Sequence, residues 1–203
     1  MFEFLQPVLQ RRDHFSPEER SMLSVAFKNL VTPRRTTWRT INFNFDSNQQ
    51  GIESIGKYKS VIEERLHRNC RAIIDVLTQH VIPRVEKRYR DKKIQSVEER
   101  AFFYKMVGDY NRYASESCQT VPDHVQRLQE FKQGALRAYS KSLELCNRGA
   151  GIEPYNPVKL GLALNFSVFY YEIIGNAKQA CTIAKQALET AIAVVDDCNE
   201  EVF

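Results

Sequence analysis

Three basic side chains, Lys28, Arg35 and Arg39, stand seven and then four residues apart. On a continuous helix they share one face and make a cationic stripe. A stripe of this kind ordinarily faces solvent, but a second set gives it a chemical meaning. Lys105, Asp109, Arg112 and Tyr113 fall at i, i+4, i+7 and i+8 in an otherwise strongly apolar stretch, where an Arg–Tyr pair needs partners. Two planar guanidinium forks, an ammonium and a phenol form a receptor for a phosphate dianion, because charge-assisted donors in a fixed geometry suit its oxygens. What the receptor requires is a fold that brings two helices together.

Other patterns with chemical potential are weaker. Gly51 to Lys57 has the spacing of a phosphate-binding loop, but Tyr58 stands where a Ser or Thr would bind magnesium, and no hydrophobic strand precedes it. The segment reads as an ordinary helix start. His67 and Cys70 lie one helical turn apart without a second ligand pair, which predicts an exposed histidine and a buried thiol rather than a metal site. Asn165-Phe166-Ser167 spells a glycosylation sequon, yet the chain opens without a basic segment followed by an apolar one. His14, His80 and His124 have no Ser or Cys at a recognisable catalytic spacing, and no Gly-x-Ser-x-Gly turn occurs. Neither catalysis, a cofactor nor a metal is expected.

The elements that position the two basic sets can be read from periodicity. Apolar residues recur at three- and four-residue intervals between sparse Gly and Pro, which predicts an all-α chain. Ser16-Pro17-Glu18-Glu19 opens a helix with a capping box and Pro at its first position. Leu23, Ala26, Phe27, Leu30 and Val31 mark its inner face; Pro33 predicts a kink or break. After Trp38, the run from Thr40 to Phe45 reads as a helix end, followed by a loop to Gly51. A helix from Ile52 to His80 is expected to fray beyond Pro83. Ser96 opens a further helix, Pro122 to Cys146 forms another, and the helices starting at Pro157 and after Asn176 make a hairpin broken at Gly175.

With 203 residues, 43% hydrophobic and 27% charged, the chain fits one domain with a real core. Its net charge of +4 implies no general nucleic-acid field, and no run is apolar enough to span a bilayer. Neither nucleic acid nor membrane is an expected partner. Five widely spaced cysteines predict buried thiols in a reducing compartment, cytosol or nucleus.

Three blocks resemble the 14-3-3 phosphopeptide-binding proteins: Arg20 to Asn29 with Arg34 to Arg39, Phe103 to Tyr113, and most closely Leu160 to Ile173. They occur in the family's order, and the resemblance runs from about Phe15 to the C-terminus. It implies an array of antiparallel helices forming an amphipathic groove for an extended phosphoserine or phosphothreonine peptide. By the resemblance, Arg35, Arg112 and Tyr113 hold the phosphate and Lys28 adds charge. Asn165 bonds the peptide backbone, Leu164 and Val168 line the apolar wall, Arg39 and Lys105 border the basic wall, and Glu172 lies at the groove edge. Leu164 and Val168 are spaced i, i+4 and so can share a face, which is equally compatible with the core.

The expected function is a non-catalytic adaptor that sequesters or reshapes phosphorylated clients. The alternative is a diverged helical-repeat scaffold that binds unphosphorylated partners. Set against the nine helices of the family, residues 1–203 read as one domain without the first helix, most of the second and the last. Dimerisation is therefore expected to be weak or absent, with apolar surface exposed near Trp38, Tyr58 and Ile62.

Overall fold

The computed structural model describes residues 2–44, 52–91, 97–118, 124–148 and 151–199. Among them every regular element is helical. Helix α1 spans Phe2–Arg11, α2 Pro17–Asn44, α3 Ile52–Val76, α4 Ile82–Arg90, α5 Val97–Cys118, α6 Val125–Cys146, α7 Pro157–Val168 and α8 Ala177–Asn199. A π-helical turn, Leu77–Val81, joins α3 to α4, and a second, Phe169–Ile174, extends α7. The sequence positions at Ser96, Pro122, Gly149 and from Asp46 to Gly51 lie outside the described residues.

Local chemistry accounts for the helix ends. The Ser16 hydroxyl accepts from the Glu19 amide at 3.2 Å while the Glu19 carboxylate accepts from the Ser16 amide at 2.9 Å, a reciprocal cap on α2. Asn156 caps α7 by accepting from the Val158 amide at 2.8 Å, and Asn176 caps α8 through the Gln179 amide at 3.0 Å. Between α7 and α8, Gly175 adopts φ +77°, a left-handed stop that suits a residue without Cβ.

Among the described residues no helix is broken at a proline. Pro7 lies within α1, and Pro33 within an unbroken α2. Both Pro33 and Asn29 are exposed, so water can satisfy the Asn29 carbonyl that loses its donor. The neighbouring Leu30 carbonyl accepts from Arg34 at 2.9 Å and Asn69 at 3.2 Å. Helix α2 also continues to Asn44, through the segment read as its end. At Pro83 the wider π turn does the work. The Ile82 amide bonds the Leu77 carbonyl five residues back, and the helix passes the proline and runs to Arg90 instead of fraying.

Helix α5 is the centre of the fold. One core cluster packs Phe103, Met106, Val107 and Tyr110 with Phe27 and Val31 of α2 and Leu66 and Ile73 of α3. Another packs Ala101 with Tyr139 of α6, Leu162 and Phe166 of α7, and Phe169. The α5–α6 contact is close because two glycines sit in it. A Cβ on Gly108 would meet the Tyr139 ring at 2.6 Å, and one on Gly134 would meet the Asn111 amide oxygen at 2.3 Å.

Two burial expectations are corrected. Trp38 is 4% exposed and donates from its indole to Glu63 at 2.8 Å, and Ile62 is also buried; Tyr58 alone of the three is exposed. His67 is 2% exposed rather than on the surface. Arg127 donates to its Nδ1 at 3.1 Å, which leaves Nε2–H to donate to the Ser117 hydroxyl at 2.7 Å. Among the described residues no group of three His, Cys, Asp or Glu side chains can hold a metal ion.

Burial, with Arg127 and His124 nearby, lowers the His67 pKa from 6.5 to about 4. Between those values the unfolded chain binds a proton that the folded protein rejects. Stability should therefore fall as pH drops through this window, His67 contributing up to about 1.4 kcal/mol per pH unit, and its contribution should level off below about pH 4. Urea melts of the wild type and His67→Gln across the window measure the difference; identical slopes would contradict it. Gly108→Ala should destabilise the fold by about 1–3 kcal/mol, because overpacking against Tyr139 exceeds the gain in helix propensity. A denaturant midpoint equal to or above the wild type would show that the ring yields freely.

Candidate functional site

The receptor is assembled on helices held together by aromatic packing. Phe27 of α2 meets Tyr110 of α5 edge-on with ring centres 6.1 Å apart, and Tyr110 meets Tyr113 at 5.6 Å. This registers the basic stripe of α2 against the polar edge of α5. The guanidinium carbons of Arg35 and Arg112 lie 4.3 and 4.7 Å from the Tyr113 ring centre, so the two cations from different helices converge on one phenol. Lys28 lines a small hollow with Lys105, Asp109, Tyr110 and Tyr113.

The way Arg35 and Arg112 are held leaves their terminal nitrogens unspent. Arg35 donates through Nε to Glu116 at 2.7 Å, and Arg112 through Nε to the Tyr139 hydroxyl at 3.2 Å. Arg39 also donates through Nε to Glu116, and its Nη2 lies 3.8 Å from Glu172. Neither Arg35 nor Arg112 spends a terminal guanidinium nitrogen on another of the described residues. The fork that would meet two phosphate oxygens remains available in both. The Tyr113 hydroxyl and the Lys28 ammonium likewise have no hydrogen-bond or ion-pair partner among the described residues.

Arg112 is 5% exposed. Burial disfavours its charge, but Tyr139, Asp109 and Tyr113 more than offset that and raise its pKa, so the cation persists at any accessible pH. Five cations, Lys28, Arg35, Arg39, Lys105 and Arg112, face three carboxylates, Asp109, Glu116 and Glu172. The excess of two positive charges matches a phosphate monoester, which carries about −1.5 to −2 at neutral pH.

A second wall comes from α7. Leu164 is 62% exposed, which places it outside the core, and Val168 one turn later is half-buried. Asn165 donates from Nδ2 to Asp109 at 2.7 Å, and Lys105 from Nζ to the other Asp109 oxygen at 2.8 Å. Gly161 lets α7 come close, since a Cβ there would lie 3.3 Å from Lys105 Cε. Every predicted site residue is thus carried by α2, α5, α7 or the π turn that follows α7, and contacts join these elements.

Two residues, Glu116 and Tyr139, escaped the sequence-based site, and Asp109, named there for its spacing, had no partner beyond its own helix. Glu116 pairs with Arg35 and Arg39, not with Arg112 on its own helix. Asp109 connects α5 to α7, and Tyr139 reaches the cluster from α6. The i, i+4 spacing from Lys105 signals Asp109. Nothing local to Tyr139 marks it, because its role arises from a contact 27 residues away in sequence.

A family model described as "14-3-3 protein" matches residues 1–203. The chain is 35% identical to the 14-3-3-like protein GF14 epsilon of Arabidopsis thaliana, over 100% of this chain and 76% of that protein. It is 36% identical to 14-3-3 protein 2 of Entamoeba histolytica, covering 100% and 80%. It is also 36% identical to the checkpoint signal transducer rad24 of Schizosaccharomyces pombe, covering 100% and 71%.

Proposed function

The chain belongs to the 14-3-3 protein family, whose members are non-catalytic adaptors that bind protein partners, and from that premise we propose that its groove takes a peptide segment containing phosphoserine or phosphothreonine. The observation that carries this reading is the convergence of Arg35 and Arg112 on Tyr113, each guanidinium held through Nε with its fork unspent. In this reading the two forks, the Tyr113 hydroxyl and Lys28 hold the phosphate. Asn165, whose amide nitrogen is engaged by Asp109, offers its carbonyl oxygen to a peptide N–H. Leu164 and Val168 bury apolar side chains flanking the phosphoresidue, and Arg39, Lys105 and Glu172 select charge along the edges. Sequestration or reshaping of phosphorylated clients follows from such binding.

The same proposal places the adaptor in the cytosol or nucleus. Cys70, Cys118 and Cys146 are buried free thiols, in keeping with a reducing compartment.

Removing the Arg112 fork tests the proposal. Arg112→Ala should weaken a phosphoserine peptide by about 1.5–3 kcal/mol, roughly tenfold to hundredfold in Kd. Arg112→Lys should also be costly, since an ammonium keeps the charge and loses the planar fork. Calorimetric titration, with melts to verify folding, measures both. Affinity within twofold of the wild type for Arg112→Ala would refute the proposed phosphate site.

A further inference from the structure

The Asp109 carboxylate is buried, and its contacts are unusually directional. One oxygen, Oδ1, accepts from the Tyr139 hydroxyl at 2.7 Å and from Asn165 Nδ2 at 2.7 Å; Oδ2 accepts from Lys105 Nζ at 2.8 Å. Arg112 Nε can only donate, so at 3.2 Å the Tyr139 oxygen must accept from it and turn its own hydrogen toward Asp109. A chain of fixed polarity results: Arg112 to Tyr139 to Asp109. Asn165 faces the same demand, because an acceptor-only carboxylate takes its NH2 and leaves the amide oxygen outward.

The middle of this chain cannot drift. Tyr139 has no exposed surface. Its ring packs against Phe166 and Phe169, with centres 5.2 and 5.8 Å away, and against Gly108, where no side chain intervenes. Burial and the Asp109 charge raise the phenol's pKa well above its ordinary value, so the hydroxyl keeps the proton it donates.

We propose that Asp109 and Tyr139 are positioning residues: one buried carboxylate fixes the Arg112 fork through the phenol and the Asn165 amide directly, so the phosphate and peptide-backbone subsites share a single reference point. Neither residue needs to touch the ligand. The inference rests on the phosphopeptide reading of the groove. It adds that specificity depends on a rigid second layer built from Asp109 of α5 and Tyr139 of α6, a helix that bears none of the proposed contact residues.

A double-mutant cycle with a phosphoserine peptide tests it. Tyr139→Phe keeps the ring packing and deletes the hydroxyl. It should weaken binding about tenfold in the wild type and by less than about twofold in Arg112→Ala, where there is no fork left to orient. Thermal melts accompany each variant. As a second probe of the same chain, Asp109→Asn retains an acceptor oxygen and should bind several-fold more tightly than Asp109→Leu, which retains none. Equal losses from Tyr139→Phe in both backgrounds, or no advantage of Asp109→Asn over Asp109→Leu, would overturn the inference. A loss with Arg112→Ala and none with Tyr139→Phe would overturn it while leaving the groove reading intact; silence of both would overturn both.

Discussion

Helix α5 must lie in the middle of the protein and still carry Lys105, Asp109, Arg112 and Glu116. A charge removed from water costs several kcal/mol unless a partner is present in good geometry. The surrounding helices supply those partners. Arg112 is met by Tyr139 from α6, Asp109 by Asn165 from α7, and Glu116 by Arg35 and Arg39 from α2. These polar contacts cross the same interfaces that the aromatic packing closes, so removing a partner would disturb both the receptor and the fold. The close approach of α6, which Gly108 and Gly134 permit, is the condition for the α6 part of this arrangement.

Partnership here stops short of neutralisation. Each convergent arginine is anchored by the nitrogen nearest its aliphatic stem, and its two terminal nitrogens stay available. Rigid donors with unspent capacity bind better than flexible ones, because less freedom is lost when the ligand arrives. The excess of positive charge concentrates where α2 and α5 meet, although the whole chain carries only +4. The opposite wall, with Leu164 exposed and Val168 half-buried, offers area instead of charge. A phosphorylated, extended peptide has both features, and in the proposed function the groove's two walls would divide the recognition between them.

Much of this could be read from the sequence. The capping residues Ser16, Asn156 and Asn176 act where their type predicts, because a cap is a local hydrogen bond. The spacing of Lys105, Asp109, Arg112 and Tyr113 placed a polar edge on an apolar helix, and the resemblance joined it to the stripe on α2. What failed depended on context. Helix α2 runs unbroken through Pro33, where the freed carbonyl faces water, and Pro83 is passed by a π turn. His67 and Trp38 are buried because Ser117, Arg127 and Glu63 satisfy their nitrogens. Those partners, like Tyr139 in the site, become neighbours only when the helices pack.

The proposed function requires the groove to recognise the phosphate and not merely the segment carrying it. Calorimetric titration of the wild-type chain with a phosphoserine peptide and its unphosphorylated twin, at one salt concentration, is the most direct measurement. The phosphorylated peptide should bind saturably and its twin at least about a hundredfold more weakly, since in the proposed site the forks, the phenol and the excess charge all act on the phosphate. Equal affinities for the two peptides would contradict it, and would mark the protein as a helical scaffold that reads its partners by shape alone.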